Sequence, residues 1–307
     1  MQRPFEITVL GTSSATPTRD RNPSAHYVRM DKHCFLVDCG EGTQLQLTKY
    51  NLRMQKIKYV LISHLHGDHY FGLPGLITSM ALFGRLEPLY VVGPEALKPL
   101  MDQILLMGDA HLTFELRYIF TDPVNHQRLI EEDDFYIETI PLQHRVPCTG
   151  FLIGEKGPER RINVEACEKW HVPVGEYEGL KYGANHTRAN GEVIANEVLT
   201  FEGYKNRRFA YISDTIYDPG IVPFIRNVNA LYHESTFLHD RLDRAKQTFH
   251  TTALQAGEIA KMAQADLLIL GHYSARYLDL EPLLLEAQQN HANTQLGKEG
   301  KTYTVIS

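Results

Sequence analysis

Residues 64–69 read His-Leu-His-Gly-Asp-His, and a single serine separates them from the apolar run 59–62. Three imidazoles and one carboxylate within six residues supply the nitrogen and oxygen donors that an ion such as zinc prefers. Because side chains alternate along an extended chain, the first two histidines are expected to share a face, whereas the glycine turns the aspartate and the third histidine toward a second ion. The alternative is a histidine-rich surface turn, but the interleaved aspartate at a strand end favours a metal site.

Short apolar runs alternate with helical patterns through much of the chain. The predicted strands are 7–10, 35–37, 59–62, 90–92, 136–140, 209–212, 231–232 and 267–270. The predicted helices are 43–50, 73–83, 95–107, 252–264 and 281–291. This alternation predicts a layered α/β domain.

Composition places the chain among globular proteins. Its 307 residues and 43% apolar content are enough for a substantial core. The net charge of -6 provides no global positive field, so a polyanionic partner would have to contact local basic patches. The four cysteines show no Cys-x-x-Cys pairing, which predicts reduced thiols rather than a zinc site or a disulfide framework.

The termini and the apolar runs bear on location. Residues 1–10 lack the pattern of a secretory leader, and no segment reaches the roughly 18 apolar residues of a membrane span. We therefore expect a cytoplasmic protein with no membrane partner.

Three further metal ligands are predicted at other strand ends. His144, Asp214 and His272 each follow one of the predicted strands, and strand ends at one sheet edge can meet in space. Taken alone, each is more often a satisfied polar residue than a ligand. Together with residues 64–69 they predict a two-ion centre, in which a carboxylate such as that of Asp214 can bridge two ions about 3.5 to 4 Å apart.

Several longer stretches make the pattern more specific. They are residues 10–12, 35–44, 63–75, 213–215, 233–236, 250–252 and 271–277, which read LGT, FLVDCGEGTQ, SHLHGDHYFGLPG, SDT, HEST, HTT and GHYSARY. Together these motifs resemble the metallo-β-lactamase superfamily and, within it, the ribonuclease Z family of tRNA 3′-processing endonucleases. The resemblance spans nearly the whole chain, and it implies one domain over 1–307 with the four-layer αβ/βα sandwich of the metallo-β-lactamase fold and a protruding insertion.

The resemblance also implies a cofactor and a reaction. Two zinc ions would be bound per subunit, with Mn²⁺ or other divalent ions as alternatives. The implied ligands, given as two ion groups and then the bridging residue, are His64, His66 and His144; Asp68, His69 and His272; and Asp214. A water between the ions, its pKa lowered from 15.7 toward about 7, would attack as hydroxide. The implied activity is that of a zinc-dependent endoribonuclease that removes the 3′ trailer of precursor tRNA, leaves a 3′-hydroxyl on the tRNA and has no DNA partner.

Departure of the ribose 3′-oxygen requires a general acid. His250 is the candidate and Glu234 its hydrogen-bond partner, a pair that the resemblance also implies. Without the resemblance, His250 would be a surface residue beside a helix N-cap at Thr251 or Thr252. Asp68 is a further catalytic candidate, either as a group that orients or deprotonates the water or as a ligand only.

Two residues outside the ligand set are predicted to support the site. Asp38 follows a predicted strand, and it either hydrogen-bonds the ligand loop or caps the helix 43–50. Arg276 either contacts a substrate phosphate with its guanidinium or is a solvated charge.

Residues 154–202 break the alternation of strands and helices and are rich in Gly, Glu, Lys and Arg. In many ribonuclease Z sequences the corresponding insertion is an arm that grips tRNA, and the resemblance implies a homodimer in which one subunit's arm presents tRNA to the other's active site. Arg161 stands at the position of a lysine in a family loop, with Glu159 where that loop has proline, and Lys181 is a second basic candidate for substrate binding. The alternative is a tolerated surface loop.

Three rival functions share parts of this pattern. A zinc phosphodiesterase of the same fold that acts on small or cyclic phosphodiesters would need no RNA-binding insertion. A metal-free RNA-binding subunit is disfavoured because all seven expected ligands are present. Hydrolysis of a thioester or a lactam would give the pair of His250 and Glu234 no role.

Overall fold

The computed structural model describes residues 3–158 and 160–306, so Glu159 lies outside the described residues. The strands are β1 (Phe5–Gly11), β2 (Ala25–Met30), β3 (His33–Cys39), β4 (Ile57–Leu61), β5 (Leu89–Gly93), β6 (Leu116–Phe120), β7 (Gln127–Glu131), β8 (Phe135–Leu142), β9 (Cys148–Glu155), β10 (Arg160–Ile162), β11 (His186–Thr187), β12 (Val193–Ile194), β13 (Thr200–Glu202), β14 (Arg208–Ile212), β15 (Ala230–Glu234), β16 (Leu268–Gly271), β17 (Thr294–Leu296) and β18 (Thr302–Thr304). The helices are α1 (Thr43–Lys49), α2 (Gly67–Tyr70), α3 (Leu73–Leu82), α4 (Leu97–Met107), α5 (Val164–Lys169), α6 (Tyr177–Lys181), α7 (Asn196–Leu199), α8 (Val222–Ile225), α9 (Leu242–Thr248), α10 (Ala253–Ala263) and α11 (Glu281–Gln288).

Two seven-stranded sheets carry the fold, with strand orders β18-β1-β2-β3-β4-β5-β6 and β17-β16-β15-β14-β9-β8-β7. In the first sheet β3 to β6 run parallel, and in the second β14 to β17 run parallel. The register pairs Ile212 with His233, and Glu234 with Gly271. The carboxyl ends of the parallel strands in each sheet therefore meet at one edge, which is where ligands bind in sheets of this kind.

Apolar side chains on the facing surfaces of the two sheets form a central core. Phe35 and Tyr59 from the first sheet pack in one buried cluster with Phe151, Phe209 and Tyr211 from the second. The outer faces of the sheets are covered by helices, α1, α3 and α4 on one side and α8, α10 and α11 on the other. Burial of a large apolar side chain contributes about 1.5–3 kcal/mol, so these layers hold the strand ends in fixed positions.

The layers run helix, sheet, sheet, helix, which confirms the predicted α/β sandwich with two flanking helical layers. Every predicted strand and helix coincides with an element of the structure. Strand β9 escaped prediction because glycines interrupt its apolar run, although seven of its eight residues are buried. Across the described residues, none of the helices combines the length and apolarity needed to span a bilayer.

The segment between β9 and β14 is built from short elements with a core of its own. Its buried residues are Cys167, Val172, Leu180, Ile194 and Leu199, which form one separate cluster. Strand β10 pairs with β13 at the base of the segment. Arg207 donates from Nε to Glu155 Oε2 at 2.8 Å. This bond joins the place where the chain enters the segment, at the end of β9, to the place where it returns, before β14.

Candidate metal centre

The ligand loop is placed by backbone contacts at the carboxyl end of β4. Ile62 donates its N–H to the Val92 carbonyl at 2.7 Å, and Thr149 donates to the Ser63 carbonyl at 3.0 Å, which ties both sheets to the start of the loop. A Cβ atom on Gly40 would lie 2.4 Å from the Asp68 carbonyl oxygen. Only glycine therefore allows the loop to pack this closely on the end of β3.

One group of donors lies within 4.8 Å of one another and comprises His64, His66, His144 and Asp214. His66 Nδ1 lies 3.0 Å from His64 Nε2 and 3.2 Å from His144 Nε2. Asp214 Oδ2 lies 3.7 Å from His64 Nε2 and 3.8 Å from His144 Nε2. Ligand atoms bound tetrahedrally to one zinc are about 3.4 Å apart, so this spacing suits a single ion.

A second group comprises Asp68, His69 and His272. His69 Nε2 and His272 Nε2 each lie 3.4 Å from Asp68 Oδ2. The other oxygen of Asp214, Oδ1, lies 3.5 Å from His69 Nε2 and 3.2 Å from His272 Nε2. The two oxygens of Asp214 thus face different groups, which is the geometry that a bridging carboxylate requires.

Two atoms of these groups test whether a cation fits. His69 Nε2 and Asp214 Oδ1 are buried and have no hydrogen-bond partner in the described chain. An unpartnered buried polar atom costs free energy, and a divalent ion would satisfy both. Burial, and then the neighbouring His69 and His144, hold the pKa of His64 well below its ordinary value, so its ring is neutral as a ligand must be. The donor set fits divalent metal.

Outer contacts fix the orientation of the rings. His64 Nδ1 lies 3.0 Å from Ser63 Oγ, and His272 Nδ1 lies 3.0 Å from Thr236 Oγ1. His144 donates from Nδ1 to the Phe249 carbonyl at 3.0 Å. Since each of these three rings uses Nδ1 for an outer contact, Nε2 is left for the centre.

Asp38 is fully buried and hydrogen-bonds the ligand loop. Its Oδ1 accepts from the Ser63 N–H at 2.8 Å, and its Oδ2 accepts from the Tyr211 hydroxyl at 2.6 Å and lies 2.7 Å from His69 Nδ1. The alternative prediction, that Asp38 caps α1, is wrong: Gly42 occupies the N-cap position and no side chain caps this helix.

The structure brings His250 and Glu234 together beside the two donor groups. His250 Nδ1 lies 2.9 Å from Glu234 Oε1 and 4.0 Å from Asp214 Oδ2. Burial opposes charge on both groups, but their mutual attraction lowers the pKa of Glu234 to about 2 and raises the pKa of His250 to about 9. Glu234 thus favours the protonated form of the imidazole, which is the form that a proton donor needs.

The N-cap of α10 is Thr252 rather than Thr251, and it forms a capping box with Gln255. The Thr251 hydroxyl instead donates to the Thr215 carbonyl at 2.7 Å. The first helical N–H groups are thus partly satisfied within the helix, and His250 lies two residues before its cap.

The predicted substrate-binding residues lie in two places. Arg276 donates from Nε to Ser274 Oγ at 3.0 Å and lies over the Phe237 ring at 5.1 Å, close to His250, whose ring is 6.1 Å from that of Phe237. Arg161 and Lys181 line a cavity of about 620 Å³ at the base of the insertion. This cavity lies at the end of β9 away from the metal centre, so the structure does not bring these two residues to the site.

Sequence reasoning missed several supporting residues. Ser63 and Thr236 stand inside quoted motifs, so their positions next to ligands were a usable signal. Tyr211 carried no such signal, because its contact with Asp38 joins residues from different sheets. Phe249 was passed over although it directly precedes His250 in the sequence.

Comparison with known proteins gives two family matches. The family model described as anti-Pycsar protein Apyc1 matches residues 5–303. Ribonuclease Z of Parabacteroides distasonis is 41% identical over 301 residues, which cover 98% of this chain and 99% of that protein. Ribonuclease Z of Bacteroides fragilis is 41% identical over 295 residues, which cover 96% and 97%.

Solved structures agree with the fold. Human tRNase Z, short form (ELAC1), superposes with a TM-score of 0.72 at 25% identity and covers 98% of this chain and 100% of that chain. The metallo-beta-lactamase fold protein YhfI from Bacillus subtilis gives a TM-score of 0.69 at 20% identity over 99% and 100%.

Proposed function

This chain belongs to the anti-Pycsar Apyc1 family and to the ribonuclease Z family, and we propose that it is a metal-dependent endoribonuclease that removes the 3′ trailer from precursor tRNA. The observation that carries this function is the placement of His250, paired with Glu234, beside two groups of metal donors that both face Asp214. A hydrolase of thioesters would not need an acid at this place, because a thiolate leaves without a proton, whereas a leaving ribose oxygen needs one.

The metal ions are assigned to the two donor groups. His64, His66 and His144 would hold one ion, the second group of Asp68, His69 and His272 would hold the other, and Asp214 would bridge them. Imidazole and carboxylate donors suit zinc, and Mn²⁺ is the alternative ion. When bound, such ions lower the pKa of a coordinated water and neutralise charge that develops on the phosphate.

His250 is the proton donor in this proposal. Its Nδ1 is engaged by Glu234, so its Nε2–H is free to protonate the ribose 3′-oxygen as the phosphodiester breaks, leaving a 3′-hydroxyl on the tRNA. Glu234 is itself held by the Thr215 N–H at 3.0 Å and by the Thr236 hydroxyl at 2.6 Å. The carboxylate therefore orients the imidazole and stabilises its charged form.

Asp68 has two roles open to it. Its Oδ2 accepts from the Ala15 N–H at 2.8 Å and faces His69 and His272, which supports the role of ligand. Its Oδ1 has none of these contacts, and this oxygen is the atom that would orient or accept a proton from the attacking water.

The insertion is proposed as a substrate-binding arm that acts at a distance from the catalytic residues of its own chain. Arg161 and Lys181 lie at its base, where the Arg161 guanidinium stacks over Tyr204 at 4.7 Å. Cationic and aromatic side chains of this kind bind the phosphates and bases of RNA. Arg276, near His250, is the phosphate contact proposed at the site itself.

A homodimer would let the arm of one subunit serve the site of the other. Support comes from apolar side chains on helices α1 to α3 and the turns after α2 and α3, which are between 61% and 86% exposed: Leu45, Phe71, Leu82, Phe83 and Leu86. We propose that these side chains form one contiguous patch, which is typical of an interaction surface.

Cleavage of a labelled precursor tRNA with a 3′ trailer, with both ends mapped, tests the function. Wild type should make one metal-dependent cut near the discriminator base, and His66→Ala should abolish it. Hydrolysis of bis(p-nitrophenyl) phosphate without any cut in the precursor would overturn the proposal.

The second candidate, hydrolysis of small or cyclic phosphodiesters, is retained because the matching Apyc1 family is not named as a ribonuclease. Arg161 and Phe201 are cross-strand partners at the base of the insertion, so residues 162–200 can be replaced by an Asn-Gly turn without disturbing the bond between Glu155 and Arg207. A tRNA enzyme would lose the large substrate and keep the small one, whereas an enzyme for small phosphodiesters would keep its natural substrate.

A further inference from the structure

Phe249 ends helix α9 in a left-handed conformation, with φ 58° and ψ 51°. The helix end accounts for the backbone: the Phe249 N–H donates to the Lys246 carbonyl at 3.3 Å, and the His250 N–H donates to the Ala245 carbonyl at 2.9 Å. Helices commonly end in this way, but with glycine or asparagine at the left-handed position. The helix end therefore does not explain why the residue is phenylalanine.

A phenylalanine in the left-handed conformation is unusual within this chain. Of the ten non-glycine residues with positive φ in the described ranges, eight are Asp, Asn, Gln or His, and a ninth is alanine. Phe249 is the one large apolar residue among them, and a bulky side chain in this conformation is strained. Strain of this kind persists where the side chain or its position serves a function.

Core packing does not supply that function. Phe249 belongs to none of the four buried apolar clusters of the described residues, and it is 37% exposed. No described aromatic side chain forms a ring pair with it. An exposed ring kept at a strained position outside the core is available to a ligand.

The position of Phe249 indicates which ligand its ring would contact. Its carbonyl contacts the His144 ring, and the next residue is His250, whose ring lies 5.4 Å from that of His144. The Phe249 backbone is therefore fixed next to both His144 and the proposed general acid, and its partly exposed ring extends from this position, near where the 3′-oxygen would depart. The nucleotide that supplies this oxygen is the nearest source of a flat apolar surface.

We propose that Phe249 is the stacking platform for the base of the nucleotide that keeps the 3′-hydroxyl, an inference that rests on the proposed ribonuclease function. Stacking on an aromatic side chain accepts any base, so Phe249 places the scissile phosphate without reading sequence. The cost of the strained backbone is offset because one residue both holds His144 through its carbonyl and holds the substrate through its ring.

The experiment uses a tRNA acceptor minihelix that ends, without a trailer, in 2-aminopurine at the mapped cleavage position. This product analogue cannot be cleaved, and stacking quenches its fluorescence. Wild type should quench it, Phe249→Gly should lose most of the quenching and weaken binding by about tenfold, and Phe249→Trp should restore both. Gln264→Gly is the matched control, because Gln264 ends α10 in the same left-handed conformation far from the site and its variant should behave as wild type.

Undiminished quenching in Phe249→Gly, or failure of Phe249→Trp to restore it, would overturn the inference. Equal losses of minihelix binding, metal content and bis(p-nitrophenyl) phosphate hydrolysis in Phe249→Gly would also overturn it, since they would show that the residue acts only through His144. Failure of the ribonuclease function itself would be seen separately, as wild type that leaves the precursor tRNA uncut.

Discussion

The two ends of the sandwich are built in opposite ways. At the carboxyl ends of the parallel strands, charged and polar side chains are buried and hold one another in a fixed network around Asp214. At the other end, the insertion folds on five buried residues of its own, and its basic side chains face a cavity. Chemistry requires fixed groups, whereas binding of a large substrate requires charge and reach, so under the proposed function the first end serves catalysis and the second serves substrate binding.

Removing the shared carboxylate is expected to have the largest effect. In Asp214→Ala both donor groups lose a member, so stoichiometric metal should be lost and cleavage should fall by roughly a thousandfold or more. Metal content by emission spectrometry and single-turnover cleavage are the measurements. Asp102→Ala, on the surface of α4, is the control, and metal retained in Asp214→Ala would contradict the bridging role.

Removing the acid should spare the metal. His250→Ala is expected to lower turnover by about 10²- to 10⁴-fold with unchanged metal content, because His250 supplies the proton to the leaving oxygen. His111→Ala, whose side chain is 87% exposed, controls for loss of an imidazole. An unchanged rate would remove His250 from the mechanism.

A carboxylate paired with a histidine occurs at both ends, which permits a direct comparison. Asp38→Asn beside His69 should weaken metal binding by about 10- to 100-fold. Asp134→Asn removes the corresponding partner of His33, at 2.8 Å, near the insertion and should leave metal affinity unchanged. Competition with a fluorescent zinc chelator measures both, and equal effects would contradict the separation of the two ends.

Destabilising the core of the insertion should have local effects, whereas destabilising the core of the body should affect the whole protein. Leu180→Ala in the insertion and Leu270→Ala in the body each remove a fully buried side chain at a cost of about 2–5 kcal/mol. We expect Leu270→Ala to lower the melting temperature of the whole protein. Leu180→Ala should raise hydrogen exchange only in the insertion and should impair tRNA cleavage but not hydrolysis of the small phosphodiester.

The smallest expected effect is on the pH dependence of stability. Burial raises the pKa of Glu299 above its ordinary 4.5, although hydrogen bonds from Asn22 oppose this. The folded state then binds the proton more tightly than the unfolded state, so the free energy of unfolding contributed by this group falls as pH rises from 4.5 through the raised pKa. Chemical denaturation of Glu299→Gln should show a weaker decline over this window than wild type.

Site residues could be predicted from the sequence where they lie close together along the chain, and less well where their contacts join distant residues. Residues 64–69 are adjacent in the chain, so their donors could be recognised without knowledge of the fold. His144, Asp214 and His272 are separated by tens of residues, so they could be grouped only by their shared place after predicted strands and by the motif resemblance. The contact of Asp38 with Tyr211 joins strands of different sheets, so no local pattern in the sequence announces it.

In the insertion, the chemical type of a residue could be predicted from the sequence but its position in the fold could not. Arg161 and Lys181 could be selected for their charge, but charge does not indicate at which end of a strand a residue will lie. The left-handed conformation of Phe249 is also invisible in sequence, because bulky side chains are rare at that conformation.

Strand β9 sets the distance between the two ends of the sandwich. Cys148 at its start contacts His64, and Glu155 at its end anchors the insertion, so seven residue steps of about 3.3 Å place the metal donors and the base of the insertion of one chain roughly 23 Å apart. A compound the size of a single nucleotide can contact the metal donors or the base of the insertion, but not both. A substrate that contacts both places within one chain has to be longer than a nucleotide, whereas a small phosphodiester would contact the metal donors alone.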